Sequence, residues 1–113
     1  MAIMEIQFDK AGPILVVTLK GRLDAAQQNS IRDTVGKEIE STGLKALVFD
    51  LSGLDYVSSA GLRSILQALK KTKSSGGVLR LCSIQPTVMK LLELSGFLSL
   101  VSTYPDRDSA LKG

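Results

Sequence analysis

Ala46 to Lys71 reads ALVFDLSGLDYVSSAGLRSILQALKK, and in it a strand, a loop and a helix follow one another. The apolar run Ala46 to Phe49 ends at Asp50 and is followed by the turn-formers Ser52 and Gly53, the pattern of a strand buried on both faces. Leu62, Ile65, Leu66 and Leu69 then recur at i, i+3, i+4 and i+7, which predicts a helix with one apolar face. Between the two lies Tyr56-Val57-Ser58-Ser59-Ala60-Gly61, with two hydroxyls where the helix begins. Loops after the carboxyl ends of strands carry most of the function in α/β sheets, so this loop is the candidate site.

A helix start has unpaired N–H groups and about half a positive charge. A serine there can cap the helix, and the same N–H groups can hold a phosphate. Gly61 lets the backbone approach a neighbour closely, because it has no Cβ. Taken alone, Ser58-Ser59 has a plain structural explanation: one of the two is an N-cap.

Upstream, Ile3 to Asp9 alternates, with Met4, Ile6 and Phe8 on one side and Glu5, Gln7 and Asp9 on the other, as in a half-buried edge strand. Lys10 to Pro13 forms a turn, and Ile14 to Leu19 is a second strand that should close an antiparallel hairpin. Gly21 to Asp24 ends that strand, and Asp24 is placed to cap the following helix. Ile31, Val35 and Ile39 mark the buried face of this helix, which Ser41-Thr42-Gly43 stops. Downstream, Ser74 to Gly77 is a linker and Val78 to Cys82 a strand. Gln85-Pro86 opens a helix with Val88, Leu91 and Leu92 inward and Gly96 as its stop. Phe97 to Val101 reads as a short strand or extended segment, and Pro105-Asp106 begins a last short helix through Ala110 and Leu111. Strands alternating with helices give parallel neighbours joined by right-handed crossovers. The expected fold is α/β, a single domain over residues 1–113, with a mixed sheet of four to five strands and an antiparallel edge hairpin.

With 113 residues, 44% of them hydrophobic, the chain can bury one core, but aromatics make up only 4%, so that core is aliphatic. The net charge of +3 raises nucleic-acid binding, yet the densest basic group, Lys70, Lys71 and Lys73, falls at a helix C-terminus, where cations complement the dipole. No aromatic residues interleave with it to stack on bases, so no direct nucleic-acid contact is expected. Cys82 is the only cysteine and reads as a small buried residue. The absence of histidine excludes His-based metal sites and His-dependent triads, and no Walker-type phosphate loop is present. Asp24 or Asp50 could serve a serine as base, but no motif singles out a catalytic pair. No cofactor and no enzymatic activity are expected. Met1 to Lys10 lacks the apolar core of a signal peptide, and the longest apolar stretch is far short of the ~20 residues that span a bilayer. A cytoplasmic protein without membrane insertion is the expectation.

Read together, Gly21-Arg22-Leu23-Asp24, Leu47-Val48-Phe49-Asp50-Leu51-Ser52 and Tyr56-Val57-Ser58-Ser59-Ala60-Gly61-Leu62 resemble the STAS domain, and within it the bacterial anti-sigma factor antagonists. The resemblance spans nearly the whole chain. It implies a sheet with about four helices largely on one face. It also implies a phosphorylated serine two residues before the glycine, which is Ser59 in this register, with Ser58 as second choice. The family's usual Asp-Ser-Ser-Gly or Asp-Ser-Thr-Gly is altered here: Ser58 stands where the Asp is common, and Ala60 replaces the second hydroxyl.

The partner surface implied comprises Asp24, Ser58, Ser59, Ala60, Gly61, Leu62 and Arg63. Its implied partners are an anti-sigma factor that is also an ATP-dependent serine kinase, and a PP2C-like phosphatase. The unphosphorylated form would sequester the kinase and phosphorylation would release it. Two other readings stand beside this one: a constitutive STAS interaction subunit of a transport or lipid-handling complex, and a nucleotide-binding domain.

Overall fold

In a computed structural model, which describes residues 5–24, 26 and 28–113, the chain forms five strands and four α-helices. Ile3 and Met4, read as the start of the first strand, lie outside the described residues. Strand β1 (Glu5–Ala11) turns at Gly12-Pro13 into β2 (Ile14–Leu23), and the two pair antiparallel from Ala11↔Ile14 to Glu5↔Lys20. Then follow α1 (Gln28–Thr42), β3 (Ala46–Val57), α2 (Ser59–Ser74), β4 (Val78–Cys82), α3 (Pro86–Ser95), β5 (Ser102–Tyr104) and α4 (Arg107–Lys112). The sheet order is β1-β2-β3-β4-β5, and every pair after the hairpin is parallel, as crossover helices require.

Strand alternation sorts the apolar residues into two layers. Leu15, Val17, Leu19, Leu47, Phe49, Leu51, Leu79 and Leu81 point to one face and pack against Ile31 and Val35 of α1, Ile65 and Leu69 of α2, and Val88 and Leu92 of α3. Ile14, Val16, Val48 and Cys82 point to the other, where Ala110 of α4 covers them. Three helices thus share one face and α4 takes the opposite one. Cys82 is a fully buried small residue in that second layer.

Two expected boundaries move. Strand β2 runs on to Leu23 rather than stopping at Leu19, and β3 runs on to Val57 through Ser52 and Gly53, which are not a turn. Extra residues in β3 explain this. From Thr18↔Asp50 to Leu23↔Val57, five steps along β2 match seven along β3, with register shifts between Thr18 and Lys20 and between Gly21 and Arg22. Bulges of this kind absorb residues that would otherwise break a strand, and they re-aim side chains beside sites. Gly53 meets one of them: a Cβ there would stand 2.7 Å from Lys20 Cγ. Phe97 to Val101 is also not a strand. Phe97–Ser99 is a 3-10 turn, and β5 begins at Ser102. Gly96, at a φ of 77°, ends α3 and aims buried Phe97 back into the core.

Candidate functional site

β3 pairs with β4 only as far as Asp50↔Cys82, so β2 and β3 continue alone for their last residues. Their last pair is Leu23↔Val57, both buried, which makes Asp24 and Ser58 the first residues beyond the carboxyl ends of adjacent parallel strands. The two site segments named from sequence are therefore neighbours by register.

The loop between β3 and α2 shrinks to Ser58. Its φ of −82° and ψ of 170° are extended, and its Oγ accepts the Gly61 N–H at 3.0 Å, as an N-cap should. Its own N–H donates to the Leu23 carbonyl at 2.9 Å, and its carbonyl accepts the Leu62 N–H at 2.8 Å. Ser58 is half-buried and hydrogen-bonded on three sides. Ser59 is the first residue of α2 and is exposed. Of the two serines, Ser58 holds the helix start through its hydroxyl and Ser59 stands exposed at the first helical position.

The other residues of the expected surface divide by role. Arg63 is exposed, while Ala60 is half-exposed and its carbonyl accepts the buried Ser64 hydroxyl at 3.3 Å. Leu62 is partly buried against the core. Gly61 is buried: a Cβ there would press into the Leu23 carbonyl and stand 2.8 Å from Leu23 Cγ, so this glycine is what lets α2 seat on β2. Asp24 Oδ1 accepts the Ala26 N–H at 2.9 Å, two residues on, and so shapes the turn that leads towards α1.

Asp50, named with Asp24 as a carboxylate that could serve a serine, is tied to α4. It is buried under α4, where Arg107 donates to its Oδ2 through Nε at 3.1 Å and Nη2 at 3.0 Å. The Ser52 N–H reaches its Oδ1 at 3.0 Å, and Arg107 Nη2 also donates to Thr18 Oγ1 at 2.9 Å. Burial pushes the Asp50 carboxyl up, but the Ser52 and Arg107 hydrogen bonds and the guanidinium charge together hold it below its ordinary value. Sequence reading missed Arg107, which sits 57 residues away and has no local pattern to announce it.

Among the described residues no group of three or more Cys, Asp or Glu stands together to hold a metal, and no helix is long and apolar enough to cross a membrane.

Residues 5–110 match the STAS domain family, and the chain belongs to it. The chain is 34% identical over 107 residues to BtrV of Bordetella bronchiseptica, named for anti-sigma factor antagonism, covering 95% of this chain and 91% of that protein. An anti-sigma factor antagonist of Mycobacterium paratuberculosis superposes with a TM-score of 0.86 at 22% identity, over 97% of this chain and 92% of that one. The Bacillus cell fate determinant SpoIIAA in its phosphorylated form superposes at 0.73 and 19%, over 96% and 97%. At these identities the two structural likenesses are likenesses of fold.

Proposed function

We propose that this chain is an anti-sigma factor antagonist that switches partners by phosphorylation. As one domain, it binds an anti-sigma factor with ATP-dependent serine kinase activity when unphosphorylated, and phosphorylation of Ser59 releases it. A PP2C-like phosphatase reverses the modification. The name of the Bordetella relative supports the antagonist role, and SpoIIAA in its phosphorylated form supports the chemistry by analogy.

The observation that carries the reading is the division of labour at the start of α2. Ser59 presents an exposed hydroxyl at the first position of a 16-residue helix, while the Ser58 hydroxyl is engaged with the Gly61 N–H. A phosphate on Ser59 adds about −1.5 to −2 charges at pH 7. The helix N-terminus tolerates them, so the domain keeps its fold. A partner seated on that surface has to accommodate new bulk and charge in a desolvated contact. A tenfold loss of affinity needs only about 1.4 kcal/mol. The chain supplies the acceptor hydroxyl; ATP and its metal belong to the kinase. Asp24, Ser58 and Arg63 surround the acceptor as contact residues.

The test is retention of a partner by tagged protein from its own cell extract, with and without ATP. The wild type should lose the partner when ATP is added and Ser59→Ala should keep it, with Ser59→Asp binding weakly throughout. A complex indifferent to ATP and to Ser59→Asp would establish a constitutive interaction subunit instead.

A further inference from the structure

We infer that Arg22 and Tyr56 form a second, separate contact point for the same partner, a preformed seat for one of its carboxylates. The proposal rests on the partner-binding reading above and extends it to residues outside the surface expected from sequence.

Arg22 and Tyr56 are register partners on the stretch where β2 and β3 run beyond β4, one pair before Leu23↔Val57. Strand alternation turns Leu23 and Val57 inward under the helices and leaves Arg22 and Tyr56 facing outward. The Arg22 guanidinium lies 4.1 Å from the centre of the Tyr56 ring. Tyr56 is 40% exposed, the only aromatic among the large exposed apolar side chains of the described residues. Among the described residues the Arg22 side chain makes no hydrogen bond or ion pair, so its guanidinium donors remain available. The register shift between Gly21 and Arg22 brings the two side chains into this pairing.

A guanidinium stacked on an aromatic face keeps its N–H edge open to a planar carboxylate. The stack also restrains a side chain that would otherwise lose freedom on binding. Arginine and tyrosine dominate the energetically important residues of protein interfaces, and a cationic one selects an acidic group. The outward direction matters as well. Arg22 points to the face opposite α1, α2 and α3, the one α4 covers further back along the strands, so it is placed for a partner that wraps the end of the sheet rather than for a phosphate on Ser59.

The experiment uses the protein that Ser59→Ala retains, purified and titrated against the full chain carrying Arg22→Glu, Tyr56→Ala or Tyr56→Phe. Both sites are exposed, and unchanged thermal melting verifies that each variant is folded. Arg22→Glu should weaken binding tenfold or more at low salt, mainly by slowing association, and the gap should narrow as salt rises. Tyr56→Ala should weaken it severalfold, and Tyr56→Phe, which keeps the ring face, should match the parent. If Arg22→Glu binds like the parent while Ser59→Asp still weakens binding, the second contact is wrong and the proposed function stands. If no ATP-sensitive partner is retained at all, both fall.

Discussion

Gly61, the third residue of α2, lies against the Leu23 carbonyl at the end of β2 with no room between them for a methyl group. That same carbonyl accepts the Ser58 N–H, so one peptide of β2 fixes both the helix cap and the seat of the first turn. A Cβ on residue 61 would also come within 2.9 Å of the Leu23 carbonyl carbon, and backbone at that distance cannot step aside. Gly61→Ala must therefore lift α2 or displace β2. It should cost about 1–3 kcal/mol, as overpacking does, seen as a lower urea midpoint. A variant as stable as the parent contradicts this packing.

The two serines should separate cleanly by stability. Ser58→Ala removes the cap on the Gly61 N–H and should cost about 1 kcal/mol. For a domain of this size that is a fall in Tm of about 4 °C. Ser59→Ala removes an exposed hydroxyl and should stay within about 0.5 kcal/mol of the parent. Equal effects from the two would contradict the assignment of the cap to Ser58.

Asp50 and Arg107 clamp α4 to the sheet across the chain, and their contribution depends on pH. Asp50 is held below its ordinary value of 3.8 in the folded state. As pH falls past that value the unfolded chain takes up a proton first, so stability drops until the folded carboxyl is protonated too. Thermal melting between pH 7 and pH 2.5 should show this loss beginning near pH 4, with a shallower acid slope in Asp50→Asn. Arg107→Ala, which leaves a buried carboxylate unpaired, should cost about 2 kcal/mol at pH 7; breaking fully buried pairs costs more, but Arg107 is itself 37% exposed. Cys82 reports on the same clamp. Burial pushes its thiol up and α4 covers it, so labelling by a thiol reagent should be slow in the parent and faster in Arg107→Ala. An acid slope unchanged in Asp50→Asn contradicts the role given to this pair.

Much of the architecture was legible because it is written in local periodicity. Ile65 and Leu69 went inside as their spacing required, β4 matched Val78 to Cys82, and Gly96 stopped α3. What periodicity misread were places where a neighbouring strand overrides local preference. Ser52 and Gly53 look like a turn, but continuous pairing to β2 across two bulges keeps them in β3. Phe97 to Val101 is largely apolar and suits a short strand or extended segment, yet the left-handed Gly96 before it folds Phe97–Ser99 into a 3-10 turn. At the site, the serines and Asp24 could be named from order and type alone. Which serine caps, and that Arg107 claims Asp50, depends on contacts between distant residues, and no spacing encodes those.

A reversible phosphate on Ser59 underlies the whole switch, and phosphosite mapping by mass spectrometry reads it out. The chain would be recovered from its own cells, with phosphatases inhibited, under several growth and stress conditions. Phosphate is expected on Ser59, with occupancy that changes between conditions. Phosphate confined to Ser58, or none on either serine in any condition, would contradict it.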